Sequence, residues 1–84
     1  MKHIAVPSFW ELYNKLPEEI KNLADKNYQI LKENPNHPSL HFKKVDEYWT
    51  VRIGLKYRAI AIQSDEHFIW FWIGNHTEYD KMIN

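Results

Sequence analysis

The 84-residue sequence contains no cysteine, carries no net charge and has no long apolar run. Without thiols it cannot build a disulfide scaffold, a thiolate zinc site or an iron–sulfur cluster, and it suits a reducing compartment. Eleven Lys and Arg balance eleven Asp and Glu, so the chain offers no general polycation for sliding along duplex DNA, and any nucleic-acid site must be local. No segment approaches the roughly 18 apolar residues of a membrane span, and residues 1–10 lack the apolar stretch of a signal peptide. No repeat or low-complexity segment is present. These absences predict an unprocessed, soluble, cytoplasmic chain with no membrane partner. What is present is apolar content of 44%, with 15% aromatic residues, enough for one small core and too little chain for two. A single domain over residues 1–84 is expected.

Along the chain, residues 3–6 read as a short strand or extended lead-in ended by Pro7. Ser8 and Glu11 have the spacing of a capping box, which predicts a short helix carrying Phe9, Leu12, Tyr13 and Leu16. Pro17 followed by Glu18 and Glu19 opens a second helix. Its apolar stripe is Ile20, Leu23, Ala24, Asn27, Ile30 and Leu31, stopped by Asn34 and Pro35. Two prolines and two asparagines within residues 34–39 define a connector. The period then falls to two. Strands are predicted over 40–45, 48–53, 57–62 and 68–73, with turns at Asp46-Glu47, Gly54 and 64–66; Gly74 is expected to end the last strand. Residues 68–73 are apolar on both faces, as in a strand interior to its sheet. Residues 77–83 can form a helical turn or two. The fold class is therefore α+β: an N-terminal helical hairpin on an antiparallel sheet of four strands, with a fifth available from residues 3–6.

Of the five histidines, His37 and His41 are four apart, but Pro38 denies them a shared helix and no third ligand has metal-site spacing, so surface histidines are the simpler account. Positive charge is local. Between residues 35 and 62, Lys43, Lys44, Arg52, Lys56 and Arg58 face only Asp46 and Glu47. Arg52 projects away from the layer of Trp49, Val51 and Ile53, whereas Arg58 shares a face with Ile60 and Ile62. An arginine so placed snorkels at the sheet edge, points into a cleft at the strand end or pairs with a buried carboxylate, unless it is an ordinary strand-end charge. His76 and Tyr79, three apart just after the last strand, bring together two proton-transfer groups. With guanidinium groups they suit phosphodiester chemistry; alternatively His76 caps backbone and Tyr79 packs on the sheet.

The order of short motifs is itself informative: a Phe-Trp helix, Leu16-Pro17-Glu18-Glu19, His37-Pro38-Ser39-Leu40, Trp49-Thr50-Val51-Arg52, Tyr57-Arg58-Ala59, and Trp72-Ile73-Gly74-Asn75-His76 with Tyr79. From about Phe9 to Asp80 the chain resembles the RelE/ParE superfamily of type II toxin–antitoxin toxins. The resemblance implies a helical hairpin on an antiparallel sheet and, for the RelE branch, an mRNA endoribonuclease that needs no metal or other cofactor and often acts on the ribosome. It implies a cognate antitoxin as partner. By position, Arg58 and Tyr79 match catalytic residues of the RelE branch, with His76 and Arg52 at further basic positions and Lys43 and Lys44 where RNA is held. The ParE branch poisons gyrase without cutting RNA, and an inactive toxin fold could serve as an interaction module; both remain alternatives here.

Overall fold

A computed structural model describes residues 2–83. The chain begins with β1 (Lys2–Ala5), passes through α1 (Pro7–Tyr13) and α2 (Glu18–Glu33), then makes one 3-10 turn at Pro38–Leu40. Four strands follow, β2 (Lys43–Val45), β3 (Tyr48–Ile53), β4 (Tyr57–Ser64) and β5 (His67–Asn75), and α3 (His76–Ile83) closes the domain. The strands form one sheet in the order β1-β5-β4-β3-β2. The three hairpin-linked pairs are antiparallel, as predicted. The amino-terminal strand joins as the fifth, beside β5, but in parallel, with Lys2 opposite His67 and Ala5 opposite Trp70. No hairpin links β1 to β5, so an antiparallel direction is not imposed on it.

Several local expectations differ from the outcome for identifiable reasons. Val6 occupies the cap position of α1 and Pro7 its first turn, with no side-chain cap; Ser8 lies inside the helix and its hydroxyl donates to the Phe71 carbonyl at 3.2 Å. The capping box therefore does not form. The predicted strand over 40–45 shrinks to Lys43–Val45, because His37 Nδ1 accepts from the Ser39 amide at 3.2 Å and closes the 3-10 turn, and His41 is left-handed at φ 45°. Leu40 is thereby driven to complete burial. The hairpin turns bend at Asp46, Gly54 and Asp65, all at positive φ, which Gly adopts freely and Asp tolerates. Gly74 does not end the last strand. It lies within β5, opposite Arg58.

The stripe on α2 buries Leu31 and Asn27 and half-buries Ile20, Leu23, Ala24 and Ile30. With α1 it covers one face of the sheet, where Val51, Ile53, Ala59, Ala61, Phe68, Trp70 and Ile73 form the core with Leu31 and Leu40. A fully buried Leu or Ile of this kind contributes about 1.5–3 kcal/mol. Strand β2 pairs only with residues 48–50 of β3. Beyond it, the buried Asn27 side chain donates to the Arg52 carbonyl at 3.1 Å, supplying the bond that a neighbouring strand would have made. The other face of the sheet carries no helix pair; Ile60 and its register partner Thr50 are nevertheless buried there, and α3 packs against β4 and β5.

Candidate functional site: an arginine pair on the open sheet face

The register of β3 and β4 places Arg52 directly opposite Arg58, and the register of β4 and β5 places Arg58 opposite Gly74. Both arginines project from the face away from α1 and α2, since Val51, Ile53 and Ala59 take the core side. Like charges directly opposed across a ladder destabilise it by a few tenths to about 1 kcal/mol. No carboxylate among the described residues lies within ion-pair distance of either guanidinium. Arg58 Nη1 donates to the Tyr57 carbonyl at 2.8 Å, whereas Arg52 Nε is buried and has no acceptor. A buried N–H on a charged group without an acceptor is costly. An anion seated on this pair would relieve both the repulsion and the missing bond.

Helix α3 brings one of the remaining groups, Tyr79, to this face; the contacts of His76 are with Lys56 and Asp80. Asn75 Oδ1 accepts from the Glu78 amide at 2.9 Å and caps the helix. The His76 amide donates to the Lys56 carbonyl at 2.7 Å, tying the helix start to the β3–β4 turn. The Tyr79 ring centre stands 6.0 Å from the Arg58 guanidinium carbon, a cation–π distance. His76 lies one helical turn before Tyr79, and its Nδ1 is 3.9 Å from an Asp80 oxygen. At that distance Asp80 makes no hydrogen bond to the imidazole and is only a nearby exposed carboxylate. The sequence reasoning missed it, although a spacing of four on a helix was the available signal.

The two lysines part company. Lys43 is opposite Thr50 and Lys44 opposite Trp49, so Lys43 shares the arginine face and Lys44 the helix-covered one. His37 is engaged in its own turn. Among the described residues no group of three His, Asp or Glu side chains is placed to hold a metal ion, and no helix is long and apolar enough to cross a membrane.

The profile of the ParE-like toxin domain matches residues 18–81, which span α2, the antiparallel strands and nearly all of α3. The chain belongs to this family. The ParE-like domain described here also shares its fold with solved toxins of the RelE/ParE superfamily. RelE in the RelB–RelE antitoxin–toxin complex from Methanococcus jannaschii aligns with a TM-score of 0.73 at 14% identity, covering 96% of this chain and 99% of that one. A YoeB/ParE toxin from Agrobacterium tumefaciens gives 0.67 at 16% identity, over 90% and 99%. The isolated Escherichia coli RelE toxin gives 0.64 at 14% identity, over 99% and 98%. No curated protein sequence is a significant match.

The helix-covered side of the ParE-like domain has a cleft of its own. It measures about 230 Å³, reaches the core at Leu31, Val51 and Ile73, and is rimmed by Ile4, Trp10 and Tyr28, each more than two-fifths exposed. Beside it His3 is stacked on Phe68 and Trp70, and its Nδ1 accepts from Trp70 Nε1 at 3.0 Å. Burial, followed by the positive charges of the amino terminus and Lys32, holds the His3 pKa below its usual value. Tyr13 is pushed up to about 12 by burial and by the hydrogen bond its hydroxyl donates to Asp25 at 2.7 Å.

Proposed function

We propose that this ParE-like toxin domain is an endoribonuclease that cuts mRNA at the arginine face. The single observation that carries this is the directly opposed, carboxylate-free pair Arg52 and Arg58, with a buried N–H on Arg52 lacking an acceptor. In the proposed reaction His76 takes the proton of an RNA 2′-hydroxyl, and the 2′-oxygen bonds to the adjacent phosphorus. The bond from phosphorus to the 5′-oxygen breaks, that oxygen leaves with a proton, and a 2′,3′-cyclic phosphate remains. Arg52 and Arg58 neutralise the additional negative charge on the phosphorane, and Tyr79 orients or protonates the departing group. Lys43, on the same face, extends the positive track along the RNA backbone, and Lys44, on the helix-covered side, stands outside it.

A cytoplasmic toxin of this kind is held in check by a cognate antitoxin, with acidic and apolar side chains over Arg52, Arg58 and the helical pair. The test is induced expression with mapping of cellular RNA ends, on the ribosome and off it. Growth arrest with new RNA ends, both lost in Arg58→Ala and His76→Ala while folding is retained, supports the proposal. Intact transcripts beside growth arrest overturn it. One observation favours a second function, inhibition by binding a protein such as gyrase: the exposed apolar rim of the helix-side cleft. Under that function arrest brings DNA breaks and filamentation, and Trp10→Ala abolishes it while Arg58→Ala does not.

A further inference from the structure

The arginine face also carries an aromatic surface whose placement depends on two irregularities in β5. Ile60 pairs with Trp72 and Ala61 with Trp70, leaving Phe71 as an extra residue. This bulge moves Trp72 onto the same face as Ile60 and the arginines. With simple alternation, Trp72 would share the core face with Phe68 and Trp70. The second irregularity is Gly74 in the strand interior. Its φ is not in the left-handed region, so its backbone conformation does not call for glycine. What calls for it is the Trp72 indole, whose outer ring atoms lie 2.6 and 2.8 Å from where a Cβ at position 74 would stand. The half-buried indole therefore covers the strand at the residue directly opposite Arg58. Both devices weaken a strand locally, and both serve to set this one side chain on the arginine-bearing face, over the residue opposite Arg58. A recess of about 360 Å³ adjoins the indole on the α1 side, lined by Leu12, Leu16, Pro17, Trp72, Gly74 and Glu78 and by neither arginine. Arg58 thus has the Tyr79 ring against its guanidinium and, across the ladder, the glycine that the indole covers.

We propose that Trp72 is the stacking surface for the base next to the phosphate held by Arg52 and Arg58, so that the site selects unpaired RNA over duplex RNA or a free anion. This rests on the ribonuclease proposal and adds a specificity residue to it. An exposed aromatic plane beside a phosphate-binding group engages a base only when that base is splayed from its neighbours. Gly74 is its positioning residue, since any side chain there swings the indole off the strand.

The test measures binding of the purified toxin to a short, non-cleavable 2′-deoxy-substituted RNA, to the same oligonucleotide lacking one base, and to inorganic phosphate. Trp72→Ala is expected to weaken oligonucleotide binding about tenfold and to leave phosphate binding unchanged. Trp72→Phe recovers most of the loss. Gly74→Ala, which keeps the indole but displaces it, shows the loss again, and the abasic oligonucleotide binds the wild type as weakly as the intact one binds Trp72→Ala. If Trp72→Ala binds the oligonucleotide normally while Arg58→Ala does not, the stacking proposal fails and the anion site stands. An equal loss for phosphate and oligonucleotide in Trp72→Ala, with a lowered melting temperature, also overturns it by making Trp72 structural. If Arg58→Ala binds the oligonucleotide normally, the ribonuclease site itself fails, and the stacking proposal with it.

Discussion

The two faces of one sheet obey different rules in this molecule. On the helix-covered face the central strand positions agree with their surroundings: Val51, Ala59 and Ile73 are neighbours across the ladders and are all buried, and the stripe on α2 meets them. On the open face two arginines oppose each other, a glycine interrupts a strand, and a bulge breaks the register. A core is built by local consistency, so concentrated violations of it on one face accord with the site proposed there.

The sharpest way to break this contrast is Arg58→Ala. Loss of one charge from the phosphorane site is expected to lower RNA cleavage by about a hundredfold or more, while the urea midpoint stays level or rises because a like-charge opposition is removed. A parallel fall in activity and stability would show that the arginines hold the sheet together. The converse substitution is Leu40→Ala, at a fully buried position. It is expected to cost about 2–5 kcal/mol in urea denaturation, and any smaller loss would mean that the 3-10 turn relaxes into the space. Between the two faces stands Asn27, whose side chain bonds the Arg52 carbonyl. Asn27→Ala should cost about 1–2 kcal/mol and also slow cleavage, since the end of β3 then holds Arg52 less firmly. Unaltered cleavage in that variant would separate the two faces entirely.

The smallest effects are on pH dependence and lie on the helix-covered side alone. The His3 pKa is lowered in the fold, so as pH falls below about 6.5 the unfolded chain takes up the proton first and stability declines. Protonation at Nδ1 would also end the bond from Trp70. Urea denaturation between pH 7 and 5 should show this slope, and His3→Asn should flatten it. At the other extreme, Tyr13 is raised to about 12, so stability present below pH 10 is lost as the pH rises towards 12. Tyr13→Phe removes that contribution.

Much of the helix-covered face was legible in the sequence because it rests on periodicity. The stripe from Ile20 to Leu31 and the alternation of Trp49, Val51 and Ile53 each follow from the geometry of a single element. Arg52 could be placed opposite that apolar layer by the same alternation. The failures are where side chains or distant segments override local pattern. Ser8 has the spacing of a cap yet serves Phe71, residues 40–42 are taken from their strand by His37, and Gly74 looks like a terminator because spacing alone does not show that the Trp72 ring leans over it. Lys43 and Lys44 are adjacent in sequence, and only the register of β2 assigns them to opposite faces.

The sequence by itself determined the order and type of the elements, the apolar face of each, and the short run of motifs shared with toxin domains, because these depend on residues within a few positions of one another. Tertiary structure alone decided that Arg52 meets Arg58, that Tyr79 comes to Arg58, that Trp72 changes face, and that β1 runs parallel to β5. Those are matters of strand register and of contacts between distant segments, which a one-residue slip would reverse and which no local pattern encodes.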